Sequence, residues 1–212
     1  MSRWSRSALT LPAALLAGLL ATGTLAADAR DSVQALYQAS YDLESSYNYA
    51  GALGSVEALL EGGQDDYVVH LRHGWLLYLN GKYADAVLAY QEAVKRQPGA
   101  AEPYAGLALP LMALRRWKEA ETACRKVVEL APGNYTGMSR LAYVFYSAGR
   151  YAEAADQYAR VVALYPSDVE MRAGLGWSQL KLGKTDAARA SFTEVLRTAP
   201  AHVSAREGLE AL

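Results

Sequence analysis

The sequence predicts an all-α protein assembled from stacked helix–turn–helix units, and three observations predict it. Pro98, Pro132, Pro166 and Pro200 recur at a fixed step of 34 residues. That period fits one supersecondary unit and is too short for a domain. Ala52, Ala86, Ala120, Ala154 and Ala188 keep the same step. Between successive prolines, apolar residues run at helical spacing for about 13 residues, break, and resume. One helix pair cannot bury its own apolar face, so stacking must supply the stability. Such arrays present extended surfaces, which suit binding better than catalysis.

The first 26 residues differ from the rest. Arg3 and Arg6 precede an uncharged apolar run, Ala8 to Ala21, and Thr24-Leu25-Ala26 offers small residues at a cleavage site. This pattern reads as a secretory signal peptide cut after Ala26, which places the product in the periplasm or outside the cell. An uncleaved inner-membrane anchor is the alternative; Pro12, Gly18 and Gly23 interrupt the run it would need. The formal net charge of -1 leaves no basic excess to neutralise phosphates, so nucleic acid is not an expected partner. Stable membrane insertion after cleavage is not expected either.

Residues 27–66 are expected to form a degenerate helix pair. Its repeat spans 33–66, with Gln64 where later units have proline and Tyr47 where they have a turn glycine. Unit 67–100 breaks at Asn80-Gly81-Lys82, and its second helix carries Tyr83, Ala86, Tyr90 and Ala93. Unit 101–134 has Arg115 at the glycine position, so its turn should use a less permissive backbone. Pro110 follows Gly106 by four residues and removes a backbone donor. Two outcomes are open: a kink that widens the groove of the stack at its middle or permits flexing, or a shortened helix beginning at Pro103. Unit 135–168 breaks at Ala148-Gly149-Arg150, before Tyr151, Ala154, Tyr158 and Val161. Unit 169–202 breaks at Gly183 and has Thr185 for the aromatic. Residues 203–212, apolar at Val203, Leu209 and Leu212 and polar at Arg206, Glu207 and Glu210, read as a capping helix that solvates the end.

Gly74, Ala108, Ala142 and Gly176 recur in the first helices, and with the alanine series they should let paired backbones approach closely. The aromatics opening the second helices (Tyr49, Tyr83, Trp117, Tyr151) should fill space toward the neighbouring unit. Cys124 is the only cysteine, so no intrachain disulfide is possible, and its register points inward as a small buried hydrophobe.

With Gly74, Gly81, Tyr83, Ala86, Tyr90, Ala93 and Pro98 in one unit, and Leu141, Ala142, Phe145, Gly149, Tyr151, Ala154, Tyr158 and Pro166 in another, the chain resembles the tetratricopeptide repeat family over about residues 33–202. The resemblance implies a right-handed α-solenoid of four repeats (67–100, 101–134, 135–168, 169–202) that serves as a protein-binding scaffold. It also implies that the first helices line a concave groove. Carried onto this chain, the family's lining positions give Tyr37, Tyr41, Leu71, Trp75, Tyr78, Leu109, Met112, Arg140, Tyr143, Tyr146, Trp177, Leu180 and Lys181. Large aromatics on such a face mark a binding site, although packing between units accounts for some of them. The family's carboxylate-clamp positions fall on Leu71, Trp75, Gly106, Thr136 and Arg140, so only Arg140 would serve and that subclass is disfavoured.

Catalytic signatures are missing. His70 and His73 stand three apart after Asp65 and Asp66, a spacing a metal site can use, but no third ligand is evident and packing is the expected role. His202 stands alone in the last loop. No cofactor, metal or enzymatic activity is expected. The expected function is a periplasmic scaffold that binds a peptide or partner-protein segment and helps assemble a cell-envelope complex. Carbohydrate binding (exopolysaccharide or peptidoglycan) and self-association are the alternatives.

Overall fold

The computed structural model describes residues 32–212, so residues 1–26, read above as a signal peptide, lie outside them. Among the described residues every regular element is a helix, and none is long and apolar enough to cross a membrane. The chain divides into two compact units after Gly63.

In the first unit, helix α1 covers 32–45 and α2 covers Tyr49–Glu61. Helix α2 buries Ala52, Leu53, Val56 and Leu59, one stripe at helical spacing. Asn48 caps it by accepting from the Gly51 amide at 3.0 Å. The turn before it places Tyr47 at φ 62°.

The second unit comprises α3 Tyr67–Leu79, α4 Tyr83–Arg96, α5 Ala101–Ala113, α6 Trp117–Leu130, α7 Tyr135–Ser147, α8 Tyr151–Leu164, α9 Val169–Lys181, α10 Thr185–Thr198 and α11 Val203–Glu210. Asp66, Asn134 and Asp168 each accept a backbone N–H in the first turn of α3, α7 and α9, and so satisfy donors the helix leaves open. Ala100 precedes α5 and has no side chain able to do this. The first helices end in the same turn each time. Lys82, Arg116, Arg150 and Lys184 donate back to Leu77, Leu111, Phe145 and Gln179, all at 2.9 Å. That closure needs a left-handed residue just before the donor. Gly81, Gly149 and Gly183 supply it at φ 73°, 76° and 72°. Arg115 adopts it too, at φ 56°. The expectation of a different backbone there is corrected: the hydrogen bond outweighs about 1 kcal/mol of steric cost.

Within each pair the two helices pack together, and each second helix packs on the next first helix. Consecutive first helices also touch (α3 with α5, α5 with α7, α7 with α9, α9 with α11), whereas no such contact joins α4 to α6, α6 to α8 or α8 to α10. The first helices therefore lie on the inside of this unit's bend. Helix α5 runs unbroken from Ala101 through Pro110, which is buried, so the helix is not shortened to start at Pro103.

Ala86, Ala120, Ala154 and Ala188 are wholly buried. The glycines of the first helices also make room for rings of the second helices. A Cβ at Gly74 would stand 2.8 Å from the Tyr90 ring, and one at Gly176 would stand 2.6 Å from the Phe192 ring. From the next first helix, a Cβ would stand 2.2 Å from the Tyr90 ring at Gly106, 2.6 Å from the Tyr158 ring at Gly174 and 2.4 Å from the Phe192 ring at Gly208. Tyr90 and Phe192 each meet glycine on two first helices, and Tyr158 meets it on one. Burying such a ring contributes about 2 kcal/mol. At the fourth junction the residues in register are Cys124 and Arg140, and there the size relation is reversed. Cys124 is buried, and burial pushes its thiol up to about 12.

Tyr83 and Tyr151 meet rings of their own first helices, Tyr78 at 5.6 Å and Tyr146 at 5.4 Å, and Trp117 meets Tyr143 of the next unit, 6.4 Å away. Two further expectations need revision. Helix α11 is more than a solvating end, because Ala205 and Gly208 are buried and Leu209 and Leu212 pack on the core. His202 is not alone. Its Nδ1 accepts from the Ala205 amide at 3.1 Å, which leaves Nε2 carrying the proton it directs at Glu170 Oε1, 3.1 Å away.

Candidate binding face

The first helices of the second unit carry eleven of the expected groove residues: Leu71, Trp75 and Tyr78 on α3, Leu109 and Met112 on α5, Arg140, Tyr143 and Tyr146 on α7, and Trp177, Leu180 and Lys181 on α9. None of them is fully buried. Tyr143 is 47% exposed, so packing does not consume it. Met112, Tyr146, Trp177 and Leu180 each rest partly against the core, which fixes their rotamers while leaving one side open. Tyr37 and Tyr41 stand on α1 in the first unit, the former half-buried and the latter exposed.

The structure gathers some of these residues and leaves others apart. Trp75 and Tyr78 stack at 5.9 Å on successive turns of α3. Tyr143, Tyr146 and Trp177 converge, with Lys181, on a cleft of about 460 Å³ between α7, α9 and α11. The Trp177 indole is held at two points: Nε1 donates to Ser204 Oγ at 2.8 Å, and the ring meets Phe192 edge-on at 5.5 Å. Tyr158 of the second helix α8 reaches the same cleft because Gly174 has no side chain to block it. Burial raises the Tyr146 and Tyr158 hydroxyls, which therefore stay protonated donors.

Arg140 occupies space that a ring takes elsewhere. Its guanidinium donates to the Ala105 carbonyl and lies near Cys124, Tyr78 and Tyr90, and burial lowers its affinity for a proton below the ordinary arginine value. One arm is thus committed to the fold.

The cleft also contains Glu170, Ser204 and Glu207, which the sequence reading did not select. The signal for them was present. The register that picks Trp177 picks Glu170 seven residues earlier, and the same positions in 203–212 are Ser204 and Glu207. Treating that segment as a solvating cap concealed them. His70 has an internal role: its Nε2 lies 2.6 Å from Asp65 Oδ1, and Arg96 also bonds that carboxylate. No group of three metal-ligating side chains occurs among the described residues. A second cleft, about 580 Å³, opens on the outer side between α6 and α8, floored by Leu141 and Phe145. Arg125 and Arg150 cover Phe145 at 5.4 Å and 4.6 Å, so its aromatic surface is already taken.

A helical repeat with an accessible, ring-rich inner face defines a class, the α-solenoid binding scaffolds. Tetratricopeptide repeat models match residues 37–101, 71–135 and 106–169, and a second such model matches 145–212. The chain belongs to the tetratricopeptide repeat family. Its fold is similar to that of MamA from Desulfovibrio magneticus, at 17% identity over 82% of this chain and 98% of that one, with a TM-score of 0.76. It is also similar to a tetratricopeptide repeat protein from Parabacteroides merdae, at 16% identity over 84% and 71% of the two chains and a TM-score of 0.76. A thermophilic repeat protein of Thermus thermophilus matches at 20% identity over 84% and 98%, with a TM-score of 0.61. No curated protein matches the chain.

Proposed function

We propose that this protein is a non-catalytic scaffold that binds an extended segment of a partner protein along the inner face of residues 64–212. We further propose that it does so outside the cytoplasm, in the assembly of a cell-envelope complex; this location rests on the leader pattern of residues 1–26. One observation carries the binding reading. Tyr143, Tyr146 and Trp177 converge on a single cleft and yet remain accessible. Aromatic side chains in a partly desolvated pocket dominate interface energetics. A saccharide ligand would need hydroxyl-matching groups beside every ring. Glu170 and Glu207 stand beside the rings of this cleft, whereas the face on α3 and α5 carries Leu71, Trp75, Leu109 and Met112.

The test is a Trp75→Ala, Tyr143→Ala double variant immobilised beside the wild-type chain. Cell-envelope extract should leave at least one species on the wild type that the variant retains about tenfold less, with equal helical circular dichroism from both. Retention of every species by the variant defeats the reading. Capture of the chain itself, with a scattering mass that grows with concentration, converts it to self-association.

A further inference from the structure

Building on the reading just given, we infer that the cleft between α7, α9 and α11 is a receptor for one cationic side chain, a lysine or arginine of the bound partner segment. The lining combines two features that together select a cation. The first is π surface: Tyr143, Tyr146 and Trp177 border the cleft and remain accessible, and the buried Tyr158 ring also reaches it. Ring faces carry negative potential and attract ammonium and guanidinium groups, tryptophan most strongly. The second is charge. Glu170, Glu207 and Lys181 line the same cleft, two carboxylates against one amine.

The state of these charges sharpens the argument. The Glu207 carboxylate makes no hydrogen bond or ion pair with any described residue, and neither does the Lys181 amine. Glu170 accepts from the His202 N–H at 3.1 Å. The other cations nearby are turned elsewhere: Arg172 donates to the Pro166 carbonyl and Arg206 to the Pro200 carbonyl. The Trp177 indole has its only polar hydrogen on Ser204, which leaves the ring its π surface to offer. An acidic ligand would meet two carboxylates here, and a purely apolar one would leave Glu207 beside it without a counter-charge. Lys181 lines the same cleft, and its charge opposes that of an entering cation.

The probe is a displayed library of random peptides, selected on the full-length chain at low salt. Enriched sequences should share one lysine or arginine. In a synthetic copy, citrulline for that arginine, or norleucine for that lysine, should weaken binding about tenfold. Glu207→Gln should cost the cationic peptide a similar factor and the neutral copy nothing, whereas Lys181→Met should tighten it. Glu207 is exposed, so this variant leaves the fold alone, and unchanged thermal melting checks that. Peptides that need Trp75 and Tyr143 but tolerate citrulline overturn the inference and leave the scaffold reading standing. Peptides that need the cation and Glu207 but ignore the double variant do the opposite. An absence of enrichment defeats both.

Discussion

Unit 101–134 and its neighbours have the same repeat length and meet its demands differently. Around it, aspartate or asparagine caps the first helix, glycine closes the turn, and an aromatic ring from the second helix enters a gap left by glycine on the next unit. Unit 101–134 has Ala100 for the cap, Arg115 for the glycine and Cys124 for the ring, and the next unit answers with Arg140. The difference teaches that the junction is conserved in volume and not in residue type. A ring facing a glycine and a thiol facing an arginine fill comparable space, because a close-packed interior penalises both voids and overlaps.

Three sets of variants would break or sharpen that contrast. The largest effect is expected from Gly174→Arg, which brings in the arginine of one junction while the ring of the other is still present. It should cost about 3 kcal/mol in chemical denaturation, and adding Tyr158→Cys should restore most of the loss. An unrestored double variant would show that the two solutions are not interchangeable. The reciprocal Cys124→Tyr should cost about 2 kcal/mol, and Arg140→Gly in the same chain should reduce that cost. A double-mutant cycle measures the coupling directly, and a coupling near zero defeats the volume argument. The smallest effects belong to the local departures. Ala100→Asp and Arg115→Gly should each stabilise by about 1 kcal/mol in thermal melts, the first by capping α5 and the second by relieving a left-handed arginine.

The repeat and its phase were legible because they are local. The prolines of the 34-residue series close the loop after each second helix and the turn glycines close the pair, so the helix pairs followed from spacing; Pro110, carried inside the unbroken α5, is the exception. Arg115 marks the edge of that legibility: the residue type suggested a different turn, and the hydrogen bond from Arg116 to Leu111 kept the same one. The proposed binding face was legible as a register carried over from the family resemblance, which selected Tyr143, Tyr146 and Trp177. Glu207 and Ser204 were missed because they lie on a helix read as an end cap. Tyr158 was missed because it comes from a second helix, and only the gap at Gly174 lets it through.

The sequence by itself determined the helix–turn–helix unit, its 34-residue period and the residues eligible for the inner face. The unit and its period follow from backbone preferences and apolar spacing, which act over a few residues; the eligible residues come from the resemblance to the repeat family. Only the tertiary structure decided which eligible residues meet. Whether a ring is buried, exposed or turned into a cleft depends on the side chain a neighbouring unit places opposite it, about 16 or 34 residues away. Arg140 was a candidate clamp in the sequence and became a partner of Cys124 in the fold for that reason: its neighbour was small, and the space had to be filled.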